Sequence, residues 1–162
     1  MTDIYAFLDT HGISYERCDH APAFTVEDVE RLVPLGGART KNLFLRDKKG
    51  TRQALVSVRA DKTVDLGKLS ASIAFERPSF GSPDRLKKRL GIEPGAVSLL
   101  ALINDPTHDV ELFVDRDLLT AESVQCHPLV NTATLRISAE GIKQFLQATG
   151  HTPQLIDLPA AE

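Results

Sequence analysis

Between Asp3 and Thr10, Ile4, Phe7 and Leu8 recur at helical spacing, with Thr2 placed to cap and Gly12 to stop, so the chain is expected to open on an amphipathic helix. Ser14 to Asp19 reads as a short strand. Thr25 to Val33 reads as a second helix, with Thr25 at its cap and Asp28 at the third helical position. Pro34 and Gly36-Gly37 then interrupt the pattern. Lys41 to Arg46 (KNLFLR) and Gln53 to Val58 (QALVSV) flank Asp47-Lys48-Lys49-Gly50, which predicts a β-hairpin with a four-residue loop. Helices are predicted over Leu66 to Ile73 and Ser82 to Leu90, the latter with Pro83 at its first position and Gly91 at its end. Val97 to Ile103, Val110 to Val114 and Thr134 to Ile137 read as further strands, Ser138 to Ala148 as a last helix before Gly150, and Gln154 to Leu158 as an edge strand.

Strand-rich stretches broken by helices of unequal length, with at least one hairpin, predict an α/β (α+β) fold: a curved mixed sheet with helices packed outside it. The breaks at 91–95 and 104–109 are too short to divide domains, so residues 1–162 are expected to form one domain.

Composition narrows the class. At 162 residues, 42% hydrophobic and 25% charged, the chain is neither disordered nor fibrous, and its length suffices for a sizeable core. The net charge of −3 argues against a protein that coats nucleic acid. That charge is unevenly spread, however. Residues 36–90 hold 14 basic and five acidic side chains, a net of +9, and the remainder carries −12. Such asymmetry fits either a solvated face or a local basic surface for a polyanion.

Cys18 and Cys126 lie 108 positions apart with no CxxC, so no disulfide framework is expected and both read as small buried hydrophobes. MTDIYAFLDTHG lacks a basic region followed by an apolar run, and no stretch approaches 18 apolar residues. Export and a membrane span are therefore not expected, and a reducing cytoplasm is.

No Gly-x-Ser-x-Gly elbow, Walker A loop or GxGxxG is present, and the cysteines and histidines lack zinc-ligand spacing. His11, His20, His108 and His151 read as surface residues. His127 stands apart in CHPLVNTAT (126–134), where Pro128 stiffens the chain and Asn131, Thr132 and Thr134 offer hydrogen bonds, which makes a polar site wall. Cys126 and His127 are neighbours in a strand pattern and should point to opposite faces, which disfavours a nucleophile–base pair. Lys41 opens an apolar strand. It is either a strand-end lysine reaching water or a fixed ammonium facing a phosphate or an acyl carbonyl. Gly95-Ala96-Val97-Ser98 is either a turn or a run of backbone N–H groups presented to a ligand.

TKNLFLRD (40–47), LGIEPGAVSLLALIND (90–105) and HPLVNTAT (127–134), in this order and spacing, resemble the YbaK/prolyl-tRNA-synthetase editing-domain family, and within it the free-standing ProX-type deacylases of Ala-tRNA(Pro). The resemblance covers nearly the whole chain. It implies a barrel-like mixed core and a trans-editing hydrolase that cleaves the ester of mischarged tRNA(Pro) without metal or cofactor. By that resemblance Lys41, His127 and Asn131 are catalytic, and Thr40, Asn42, Gly95, Ala96, Val97, Ser98, Ala101, Pro128 and Thr132 bind substrate. Lys41 would anchor the terminal nucleotide or polarise the ester, amides near Gly95 to Ser98 would hold the oxyanion, and His127 and Asn131 would orient water or the acyl group. The partner implied is the tRNA acceptor end, with prolyl-tRNA synthetase a transient second; neither a membrane nor DNA is expected. Where the broader family has a Gly-x-Ser-Pro-x-Gly-like loop, this chain has Ser98 followed by Leu99, Leu100 and Ala101, which leaves the preferred amino acid open. The alternatives are a noncatalytic acceptor-end binding module, a deacylase for another small amino acid such as serine or cysteine, and a hydrolase of another small activated ester.

Overall fold

The computed structural model describes residues 3–23 and 25–158. The first helix, α1 (Ile4–Thr10), is capped by Asp3, whose carboxylate accepts from the N–H groups of Tyr5 and Ala6 that no helical carbonyl can reach. Thr2, the expected cap, lies outside the described residues. After β1 (Glu16–Asp19), helix α2 (Val26–Leu32) begins as its spacing implied, with Thr25 Oγ1 accepting from Asp28 N at 3.0 Å.

The hairpin forms the centre of the molecule. β2 (Thr40–Arg46) and β3 (Gln53–Arg59) pair antiparallel from Thr40 opposite Arg59 to Arg46 opposite Gln53. The connection spans residues 47–52 rather than four residues, because the Asp47 carboxylate draws in the N–H groups of Thr51 and Arg52 at 2.9 and 3.1 Å. β4 (Ser79–Phe80) lies outside β2, and β5 (Val110–Asp115) and β8 (Gln154–Ile156) add in parallel on the other side, giving the order β4-β2-β3-β5-β8. A second, antiparallel sheet has the order β1-β7-β6, with β6 (Ser123–Cys126) and β7 (Ala133–Ser138). The expected mixed sheet is thus present, divided into two open parts joined by a bridge between Ala38 and Val124. Gly37 stands at the crossing with φ +96°, where a Cβ would lie 2.8 Å from Ser123 Oγ.

Helices cover both faces of the larger sheet. Leu55, Phe44, Leu112 and Val114 face a core shared with α1, α4 (Pro83–Leu90), α6 (Ala139–Thr149) and the small sheet. Ala54, Val56, Val58 and Phe113 face a smaller core under α3 (Leu66–Ile73). Strand β3 is therefore apolar on both faces, as a central strand with a parallel neighbour must be.

Several expectations are corrected. Val97 to Ile103 is not a strand: the chain makes two 3₁₀ turns, Pro94–Ala96 and Leu99–Asn104. Leu99, Leu100, Ala101 and Leu102 are all buried, so no solvent face imposes alternation, and Ser98 Oγ starts the turn by accepting from Leu100 N at 3.1 Å. Strands β4 and β6 and the one-turn helix α5 (Arg116–Leu119) lie in stretches where no element was expected. His151 is buried rather than superficial, its Nε2 3.0 Å from Asp105 Oδ2. Cys126 is buried as expected, but Cys18 is half-exposed on β1. No helix of the described residues is long and apolar enough to cross a membrane.

Candidate functional site

The two sheets meet along a seam. Ala38 N donates to Ser123 O at 2.8 Å, Gln125 N to Ala38 O at 2.9 Å, and Thr40 Oγ1 to Gln125 O at 2.7 Å. The Gln125 amide fixes the approach further by donating to Leu35 O at 2.8 Å. A cavity of about 170 Å³ opens at this seam. It is lined by Thr40, Lys41 and Asn42 from the start of β2, by Gln125 and Cys126 from β6 with His127 just after it, and by Thr134 from β7. Pro94, Gly95 and Val97 add to these, and Ala23, Thr25 and Arg39 complete the lining.

Lys41 is half-buried and its Nζ donates to the main-chain carbonyl of Lys62. Lys62 is itself buried, with Nζ 2.8 Å from both Asp115 Oδ1 and Asp117 Oδ2 and 2.9 Å from Leu158 O. Burial alone would lower the Lys62 pKa, but the hydrogen bonds it donates to the two carboxylates outweigh this and raise it. The Lys41 ammonium is thus held by a main-chain carbonyl. Asn42 is fixed as well: its Oδ1 accepts from Ser57 Oγ at 2.7 Å, within the core face of β3.

His127 Nδ1 lies 2.9 Å from Ala133 O. A carbonyl can only accept, so Nδ1 carries the proton and Nε2 keeps its lone pair. Burial holds the His127 pKa below 6.5, the Ala133 bond opposes this, and nearby His20 lowers it further. The imidazole is neutral at pH 7. His20, expected at the surface, is half-buried with its ring 6.3 Å from that of His127, and its Nε2 lies 2.8 Å from Thr134 Oγ1. Cys126 is fully buried and its thiol is pushed up to about 12, so it is neither nucleophile nor base near neutrality. Among the described residues no carboxylate lines the cavity, whose charged side chains are the cations Arg39 and Lys41.

Thr40, Lys41, Asn42, Gly95, Val97 and His127 thus come together as expected. Six other expected residues do not line the cavity. Ser98 and Ala101 are in the core, with the Ser98 hydroxyl engaged by Leu100 N, and Ala96 N is engaged by Glu93 O at 2.9 Å. Pro128 is buried. Asn131 and Thr132 contribute main-chain carbonyls, which accept from Ala23 N at 3.0 Å and His20 N at 2.9 Å. Arg39 and Gln125 were not anticipated. Arg39 neighbours the motif at 40–47, whereas nothing local marks Gln125.

The chain belongs to the aminoacyl-tRNA editing domain family, whose model matches residues 20–145. It is 37% identical over 156 residues to the prolyl-tRNA editing protein ProX of Acetoanaerobium sticklandii, covering 96% of this chain and 95% of that protein. It is 35% identical over 157 residues to the prolyl-tRNA synthetase associated domain-containing protein 1 of Danio rerio, covering 95% and 85%. Its fold is also like that of a solved structure described as a candidate trans-editing enzyme for prolyl tRNA synthetase, with a TM-score of 0.71 and 21% identity over 98% of this chain and 96% of that one.

Proposed function

We propose that residues 1–162 form one trans-editing deacylase domain that hydrolyses the ester of mischarged tRNA(Pro), with Ala-tRNA(Pro) its first substrate. The observation that carries this reading is that Lys41 and His127 both belong to the lining of one small cavity. At about 170 Å³ the cavity is smaller than the roughly 300–1,000 Å³ of sites for drug-sized ligands, which suits a short aminoacyl group better than a whole nucleotide. Similarity to a prolyl-tRNA editing protein over nearly the full length supports the choice of substrate.

Water attacks the ester carbonyl carbon, the carbonyl oxygen becomes an oxyanion, and collapse breaks the bond to the ribose oxygen, which leaves with a proton. The products are the free amino acid and intact tRNA. Lys41, held by Lys62, supplies positive charge where the oxyanion or the terminal phosphate sits. His127 Nε2, unprotonated at pH 7, takes the proton of the attacking water. An aminoacyl ester is already activated, so a positioned water and a polarised carbonyl suffice, and no covalent nucleophile is required. The reaction takes place in the cytoplasm on the acceptor end of tRNA, with prolyl-tRNA synthetase met transiently.

Selection for alanine rests on volume, and a hydrophobic pocket rejects only weakly a residue that adds just a hydroxyl, so serine is expected to be removed more slowly rather than spared. Purified protein incubated with Ala-, Ser-, Cys- and Pro-tRNA(Pro) tests the reading. Fastest loss of the alanyl ester supports it. Binding without hydrolysis of any of them would make the chain an acceptor-end binding module instead.

A further inference from the structure

The far end of β2 from the cavity carries an exposed aromatic among cations. Phe80, on the edge strand β4, pairs with Leu45 and is 62% exposed. Its neighbour Gly81 packs against Phe44, where a Cβ would lie 2.6 Å from the ring, so the backbone here is pressed onto the core and Phe80 is left outside. Beside it, Arg46 donates to Lys48 O at 3.1 Å and Arg85 to Gly50 O at 3.0 Å, and both guanidinium groups would stand 3.1 Å from a Cβ on Gly50. Two guanidinium groups are thus fixed around one loop. Lys48 and Lys49 are exposed in that loop, Arg77 just before β4, and Lys88 one turn beyond Arg85 on α4.

Against these six cations stand two exposed carboxylates, Glu76 and Asp84, of which Glu76 already faces Lys48 at 3.7 Å. Asp47 is buried and turned inward onto Thr51 and Arg52. Surplus positive charge around a single flat ring matches a phosphodiester backbone with a base or end pair to stack on. An anionic lipid surface would also attract the cations, and its binding is one outcome the minihelix comparison separates.

Two elements join this face to the cavity. β2 runs from Thr40 in the lining to Arg46 at the patch, roughly 20 Å at strand rise. Helix α4 runs from Ser82 beside Phe80 toward the Pro94–Ala96 turn that closes the cavity. We propose that the face formed by Phe80, Arg46, Arg85, Lys48, Lys49 and Lys88 docks the acceptor-stem backbone of the tRNA whose 3′ end enters the cavity, with Phe80 stacked on an exposed base. This rests on the deacylase reading for the identity of the RNA.

The test uses the full chain and an uncharged acceptor-stem minihelix with a single-stranded 3′ end, with binding read by fluorescence anisotropy between 50 and 200 mM salt. Phe80→Ala and the double variant Lys49→Glu/Lys88→Glu alter exposed side chains, and their thermal unfolding is compared with wild type to confirm folding. Each is expected to weaken minihelix binding about fivefold or more, and the double variant to make the slope of log K against log salt shallower by about two. The ratio of kcat/KM on Ala-tRNA(Pro) to that on an alanyl ester of a CCA trinucleotide is expected to fall at least fivefold. Wild-type affinity and salt slope in both variants would overturn the proposal, as would equal loss on both substrates. If the wild-type chain hydrolyses neither ester, the deacylase reading fails while the minihelix titration still decides the docking face.

Discussion

The side chains of Lys62 and Asp115, 53 residues apart, form an ion pair at 2.8 Å with 2% and 0% of their surface exposed, and the carbonyl of the same Lys62 holds the Lys41 ammonium. Lys41 is therefore anchored through a buried charge pair between the turn after β3 and the end of β5. Asp115→Ala leaves the Lys62 ammonium with only the half-exposed Asp117 and one carbonyl, and is expected to cost about 3–5 kcal/mol in a urea unfolding series. A loss under about 1 kcal/mol would show that the pair does not organise this end of the fold.

The same network sets the pH limits of stability. Because the Lys62 pKa is raised in the fold, its contribution is complete below the unfolded value of 10.5 and is lost as pH rises through the folded value. Asp117 is shifted down, chiefly by its hydrogen bond from Lys62, so its contribution is present above 3.8 and lost as pH falls. The unfolding midpoint is expected to be flat between these limits where this network is concerned, and Asp117→Asn to reduce the loss at the acid end.

His127 is held in its neutral form mainly by burial, so activity that depends on its Nε2 should persist below pH 6.5 before it declines. The acid limb of kcat/KM against pH is expected to have its midpoint below 6.5. His127→Ala should reduce kcat by about a hundredfold and remove that limb. A midpoint above 6.5, or a limb that survives the substitution, would assign the titrating group elsewhere.

Cys126 lines the cavity beside His127, yet its thiol is buried and pushed up to about 12. Iodoacetamide at pH 8 is expected to label Cys18 in the native protein and to leave Cys126 unmodified until denaturant is added. Cys126→Ala should retain deacylation within about threefold. Loss of activity with the fold intact would restore the thiol as a participant.

What was legible in the sequence was local. The hairpin carrying Lys41 showed itself through two short apolar runs and the turn cluster between them, and the helices through caps such as Ser82-Pro83, whose hydroxyl accepts from Arg85 N as expected. What escaped depends on partners distant in the chain. His20 looked superficial because Thr134, to which it is hydrogen-bonded, lies 114 positions away, and His151 because Asp105 lies 46 away. Gln125 gained its place from the carbonyls of Leu35 and Gly36 across the seam, about 90 residues distant. The Leu99–Asn104 turn was misread for a different reason: a run of consecutive buried residues has no periodicity, and length alone cannot separate a short strand from a helical turn.

The central claim is that Lys41 and His127 act in one site that hydrolyses an aminoacyl ester, and alanine release from Ala-tRNA(Pro) by wild type and Lys41→Ala tests it most directly. We expect wild type to hydrolyse Ala-tRNA(Pro) and spare Pro-tRNA(Pro), with Lys41→Ala at least about tenfold slower in kcat/KM, or about 1.4 kcal/mol of lost transition-state stabilisation. No hydrolysis above background by wild type, or Lys41→Ala within about threefold of it, would contradict the account.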